Sequence, residues 1–114
     1  MLQWFKERIT RSPKAAPEPL DVDGQTLLRS GERYFVVDLR ELSLYRKGHI
    51  RGSHLIPYLE LQKRLHELPD KQPILTVDAN ERRGRQAAKL LRSYGYRAVN
   101  LKGGIQGWPE KLVK

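Results

Sequence analysis

Residues 73–95 read Pro-Ile-Leu-Thr-Val-Asp-Ala-Asn-Glu-Arg-Arg-Gly-Arg-Gln-Ala-Ala-Lys-Leu-Leu-Arg-Ser-Tyr-Gly. The run 73–77 is apolar and β-rich, the signature of a buried strand. Past a short polar loop, Ala87, Ala88, Leu90, Leu91 and Tyr94 share one side of a helix over 83–93. Arg82, Arg85, Lys89 and Arg92 fall on the opposite side, and Gly95 is placed to cap the C-terminus. A strand that feeds a helix through so few residues predicts one unit of a parallel α/β sheet.

The flanks repeat the pattern. On the C-terminal side, 97–101 is a second β-rich run, and 103–108 leads into a terminal helical turn. On the N-terminal side, Leu59, Leu61, Leu65 and Leu68 predict an amphipathic helix that ends before Pro69. Residues 53–56 read as a short strand ended by Pro57, and 41–47 as a short helix closed by Gly48. Residues 34–38 form a buried-type strand, and Asp23-Gly24 turns into a short helix over 25–29. The expected fold class is α/β, with a small central parallel sheet of about five strands and helices on both faces. Ligands of such sheets sit at the carboxyl ends of the strands, which directs attention to the residues after Val77.

Residues 1–19 differ in kind. Leu2, Phe5 and Ile9 recur at helical spacing beside Trp4, and three of the seven prolines follow within 11–19. An amphipathic segment on a Pro-rich linker therefore precedes one domain over 20–114. At 114 residues the chain holds one modest core, enough to bury roughly 65% of its unfolded surface. With no cysteine it has no disulfide framework, no Cys-type zinc site and no thiolate nucleophile. A mean hydropathy of −0.66 and the lack of an apolar run near 20 residues exclude a transmembrane helix. No signal-like apolar stretch opens the chain, so a cytoplasmic location is expected. The net charge of +9 is uneven: residues 1–18 carry +2, 19–70 are neutral, and 71–114 carry +7.

Three segments in order resemble the rhodanese-like (rhodanese-homology) domain. Asp38-Leu-Arg40-Glu41 followed by Gly48-His49-Ile50-Arg-Gly52-Ser53-His54-Leu55-Ile56-Pro57 is similar to the family's D-x-R-E and GHI-x-GA-x-x-IP signature. The strand, loop and helix of 73–95 form the second segment. Leu101-Lys-Gly103-Gly104-Ile105-Gln-Gly107-Trp108 is similar to the closing L-x-GG motif with its tryptophan. The resemblance covers about residues 20–110. Structural roles are expected for Asp38 and Arg40 as a buried charge-assisted pair, for Gly48, Gly103 and Gly104 as turn formers, for a hydrogen-bonded His49, and for a packed Trp108.

In active members that the chain resembles, the loop after the fourth strand reads C-x-x-x-x-R, and its cysteine carries a persulfide. Here the loop is Asp78-Ala79-Asn80-Glu81-Arg82-Arg83, with Asp78 at the cysteine position. A carboxylate cannot take up sulfane sulfur, and no cysteine elsewhere can replace it. Sulfurtransferase chemistry by that mechanism is excluded, as is cysteine-phosphatase chemistry. A loop at a helix N-terminus forms a cradle for negative charge, so Asp78 is expected to fill it as a built-in anion. Glu81 is expected to add a second negative group against anionic substrates.

The reading is therefore an inactive homologue that acts as a protein-interaction or regulatory module for an unidentified protein partner, without cofactor or metal. Its contact surface is expected on the 78–83 loop and the basic helix face, with Arg82, Arg83, Arg85, Lys89 and Arg92 as binding residues. Weak anion binding at the rim is compatible with those arginines. Two alternatives stand beside it. One is non-thiol hydrolase chemistry with Asp78 as base or nucleophile, which normally needs a metal and further acidic groups. The other is binding to nucleic acid or an anionic membrane surface through the basic C-terminal third, with affinity that falls steeply with salt.

Overall fold

A computed structural model describes residues 18–114, so the amphipathic segment and most of the Pro-rich linker expected within 1–19 lie outside the described residues. The elements are β1 (Asp21–Val22), α1 (Gly24–Ser30), β2 (Phe35–Asp38), α2 (Leu42–Lys47), β3 (His54–Leu55), a 3₁₀ segment (Tyr58–Glu67), β4 (Ile74–Val77), α3 (Glu81–Ser93), β5 (Ala98–Leu101) and a 3₁₀ turn (Gly104–Gly107). All strand pairs are parallel, in the order β1-β5-β4-β2-β3. Among the described residues no helix is long and apolar enough to cross a membrane.

Alternation along the strands splits the core in two. Val37, Ile74 and Ala98 pack against Ala87, Ala88 and Leu91 of α3 and against Leu61 and Leu68. Val36, Leu75, Val77, Val99 and Leu101 face the other way, toward Leu27 of α1, Ile50 and the half-buried Trp108. The expected five-stranded sheet with helical elements on both faces is thus present. β1 has only two residues, too few for a periodic signal, and the sequence reading does not identify it as a strand.

Three local expectations are corrected. The helix expected over 59–68 is a 3₁₀ segment interrupted at Arg64, which has φ −116° and ψ 22°. Tyr58 and Leu61 are three apart, the repeat that a 3₁₀ turn aligns, and Leu59 falls off that row, 80% exposed. Arg64 sits at the break and donates to Glu60 and Glu67. Secondly, α3 begins at Glu81 rather than at 83, because Asn80 caps it by accepting the Arg82 N–H at 3.0 Å. Its other end is closed as expected at Gly95, whose φ of 89° lets Tyr96 N–H reach the Leu91 carbonyl at 3.0 Å. Lastly, the chain beyond 107 is not helical: Val113 pairs antiparallel with His49 through two 2.8 Å backbone bonds.

The position of α3 over the sheet depends on Gly84. A Cβ there would collide with the Asn100 amide oxygen and lie 2.9 Å from its Cγ. Asn100 is fully buried in β5 and donates to Asp21 at 2.9 Å. Thr76, fully buried in β4, donates its hydroxyl to the Gly84 carbonyl at 2.8 Å. Gly84→Ala is therefore expected to lower stability by about 2 kcal/mol, measured as a shift in the urea midpoint at unchanged slope. A midpoint equal to that of the parent would show that α3 does not sit as described.

Candidate functional site

β4 delivers Asp78 to the carboxyl edge of the sheet, beside the end of β2, where Leu39 N–H donates to the Val77 carbonyl at 2.8 Å. Asp78 is 5% exposed. Its Oδ1 accepts the N–H of Ala79 at 2.8 Å. The expectation of a carboxylate that gathers the loop N–H groups is corrected: among the described residues Asp78 takes one of them. The side-chain cap of α3 comes from Asn80 instead, which already holds the Arg82 N–H.

Behind the loop lies the turn 103–107. Ile105 N–H donates to the Asp78 carbonyl at 2.8 Å. Gly104, with φ of 66°, allows this approach, since a Cβ there would stand 2.8 Å from the carbonyl oxygens of both Asp78 and Ala79. Glu81 ties the two segments together. Its Oε2 accepts the Gly103 N–H at 2.7 Å and its Oε1 accepts from Arg85 at 2.9 Å. Both carboxylate oxygens of Glu81 are thus bound within the fold, and its negative charge is paired with Arg85.

Arg85 continues this chain of contacts by donating to Asp21 at 2.7 Å, and Asp21 also accepts from Asn100. Burial alone would raise the Asp21 pKa. The Asn100 and Arg85 hydrogen bonds outweigh it and hold the carboxyl below the usual range. Arg92 is similarly occupied, donating to the carbonyls of Ala98 at 2.7 Å, Glu18 at 3.1 Å and Pro19 at 3.2 Å. Both arginines fasten β1 and the segment before it to α3, and Arg85 does so with 43% of its side chain still exposed.

Arg82, Arg83 and Lys89 remain exposed. Arg83 lies over the Tyr58 ring at 5.2 Å, and the Tyr58 hydroxyl donates to Gln86 at 2.7 Å. Tyr58 and the exposed Leu59 follow β3 onto the same sheet edge, as do Leu42 and Leu44 of α2 after β2. These apolar residues, absent from the sequence reading of the site, share the carboxyl edge with the 78–83 loop and its exposed Arg82 and Arg83. Leu59 was readable only as a core position of a regular helix.

Asp38 and Arg40 form a buried pair beside this edge. The guanidinium donates to the carboxylate at 2.7 and 2.9 Å and to the Gly48 carbonyl at 2.8 Å. His49 donates from Nδ1 to the Tyr45 carbonyl at 2.8 Å, and its ring stacks on that of Tyr45 with centroids 3.8 Å apart. Gly103, at φ 82°, opens the turn behind the loop. Among the described residues no group of three His, Cys, Asp or Glu side chains could hold a metal ion.

Comparison with known proteins adds lineage to this geometry. Residues 21–111 match the family described as the rhodanese-like domain. The chain is 34% identical over 83 residues to the putative sulfur carrier protein YrkF of Bacillus subtilis, covering 72% of this chain and 45% of that protein. It is 31% identical over 80 residues to the thiosulfate sulfurtransferase PspE of Escherichia coli, covering 68% of this chain and 77% of PspE. Among solved structures, a rhodanese-related protein from Thermoplasma volcanium superposes with a TM-score of 0.77 at 26% identity, over 83% of this chain and 98% of that one. The matched stretch thus spans about half the length of YrkF.

A pH dependence follows from Asp21. A carboxyl held below its ordinary range contributes stability that is complete above that range and is lost as pH falls through the lower, folded value. Stability is expected to decline below about pH 4, with a slope reduced in Asp21→Asn. Denaturant midpoints collected across that range measure it, and identical slopes for the two proteins would contradict the assignment.

Proposed function

This chain belongs to the rhodanese-like domain family, and we propose that it serves there as a member without sulfurtransferase activity, a cytoplasmic protein-interaction or regulatory module. The observation that carries this reading is Asp78 at the end of β4, in a sequence with no cysteine. A carboxylate oxygen has no means of holding a sulfane sulfur, whereas the loop length, the helix behind it and the buttressing turn all persist. A scaffold kept while its nucleophile is absent fits selection for shape. The contact surface we assign is the carboxyl edge: the loop 78–83 with Arg82 and Arg83, flanked by Tyr58 and the exposed Leu59. Exposed guanidinium groups on the same edge as exposed apolar side chains are a composition that favours protein partners.

The relatives' named activities belong to those proteins. For this chain, incubation with thiosulfate and cyanide is expected to yield no thiocyanate above the buffer rate. A partner recovered by cross-linking from the native host is expected to be lost on Arg82→Ala, Arg83→Ala and Leu59→Ser together, and retained by Lys111→Ala. Thiocyanate production, or capture unaffected by the triple variant, would contradict the reading. Magnesium-dependent phosphatase activity abolished in Asp78→Asn would replace it with hydrolase chemistry. Retention on DNA or anionic vesicles that collapses with salt would replace it with binding through the basic third.

A further inference from the structure

A cavity of about 340 Å³ opens on the face of the sheet opposite α3. Leu75 and Val36 form its floor, Leu27 and Leu28 of α1 one wall, and Ile50 and Trp108 the other. That volume lies within the range of small-molecule sites, at its lower end. The cavity is separate from the 78–83 loop, since Leu75 and Val36 point away from the face that carries α3.

Its charged groups carry both signs with a positive excess: Arg97 is shared by Glu32 and Glu18, which leaves that group at −1, while Arg33 and Arg51 add +2. Glu32 lines the cavity, but both of its carboxylate oxygens accept from Arg97, at 2.5 and 2.6 Å, and Arg97 also binds Glu18. The hydrogen bond from Arg97 accordingly lowers the Glu32 pKa and keeps it ionised and paired. Arg33 and Arg51 also line the cavity, both are exposed, and neither guanidinium has an acidic partner among the described residues. The largely apolar lining is therefore accompanied by two guanidinium groups without an acidic partner among the described residues, and by a net charge of +1 once the Glu32–Arg97–Glu18 group is counted. The preceding segment of this chain does not suit it: residues 1–17 carry four basic groups and one acidic group, the same sign as the mouth.

We propose that this cavity binds a small carboxylic acid with an aromatic or branched apolar body, the body against Leu28 and Trp108 and the carboxylate at Arg33 and Arg51. Arginine forks suit a carboxylate, and the apolar lining supplies affinity that acetate alone could not obtain. Size sets the class, because the cavity admits a single ring or a short branched chain and not a long lipid.

Nitrogen-15 NMR titration of the full chain with 3-phenylpropionate tests the assignment, with 3-phenylpropionamide and acetate as matched probes. The expected result is saturable shifts at Leu28, Val36 and the Trp108 indole N–H, with affinity about tenfold weaker for the amide. Arg33→Gln with Arg51→Gln, both exposed and clear of the core, is expected to weaken phenylpropionate by a similar factor and leave the amide unchanged. Equal affinity for acid and amide, equal shifts with acetate, shifts confined to 78–83, or no saturable shift would each overturn it. These outcomes are independent of the sulfur-transfer and partner-capture assays on the loop.

Discussion

The close seat of α3 on the sheet at Gly84 is the constraint from which the rest of the carboxyl edge follows. Because Gly84 has no side chain, the buried Asn100 amide can fill the space beneath the helix while donating to Asp21. The helix then starts where Asn80 can cap it and where Glu81 can reach the Gly103 N–H. A helix displaced outward by even a methyl group would pull Glu81 from the turn and Arg85 from Asp21. Tight packing makes such shifts costly, so the loop between β4 and α3 has one defined shape.

That defined shape survives without a nucleophile. Asp78 stands where the resembling family carries its cysteine, yet among the described residues its carboxylate takes only the Ala79 N–H. The loop is held by Asn80, which caps α3 from within it, and by the 103–107 turn beneath. Nothing in this support depends on the chemistry of the residue at position 78. The loop can therefore lose its reactive group and keep its outline, which is the physical basis for assigning it a role as a surface.

Much of the architecture is legible in the sequence because strand and helix periods alternate cleanly from 34 to 101, and because the motif glycines mark the turns. The two-residue β1 is not legible, since no period can show in two positions and its pairing with β5 is a tertiary outcome. The 58–67 segment misleads for a related reason: leucines spaced two, four and three residues apart fix no single repeat, and only packing decides that Leu61 turns inward and Leu59 outward. Site residues follow the same division. Asp78 is identified by its place after a strand, whereas the internal engagement of Glu81, Arg85 and Arg92 depends on partners up to 74 residues away along the chain. A charge on the polar face of a helix looks free in sequence whether or not the fold brings it a partner.

The central claim is that this loop lacks a nucleophile and nothing else. It is tested most directly by mass spectrometry of Asp78→Cys after exposure to thiosulfate. A thiolate at this position would attack the outer sulfur of thiosulfate, break its S–S bond and release sulfite, leaving a persulfide on the protein. The account predicts that the variant gains the mass of one sulfur, releases it to cyanide, and that the parent chain gains nothing. A correctly folded Asp78→Cys protein that never acquires the sulfur would contradict it, because the loop would then have lost its shape as well as its cysteine.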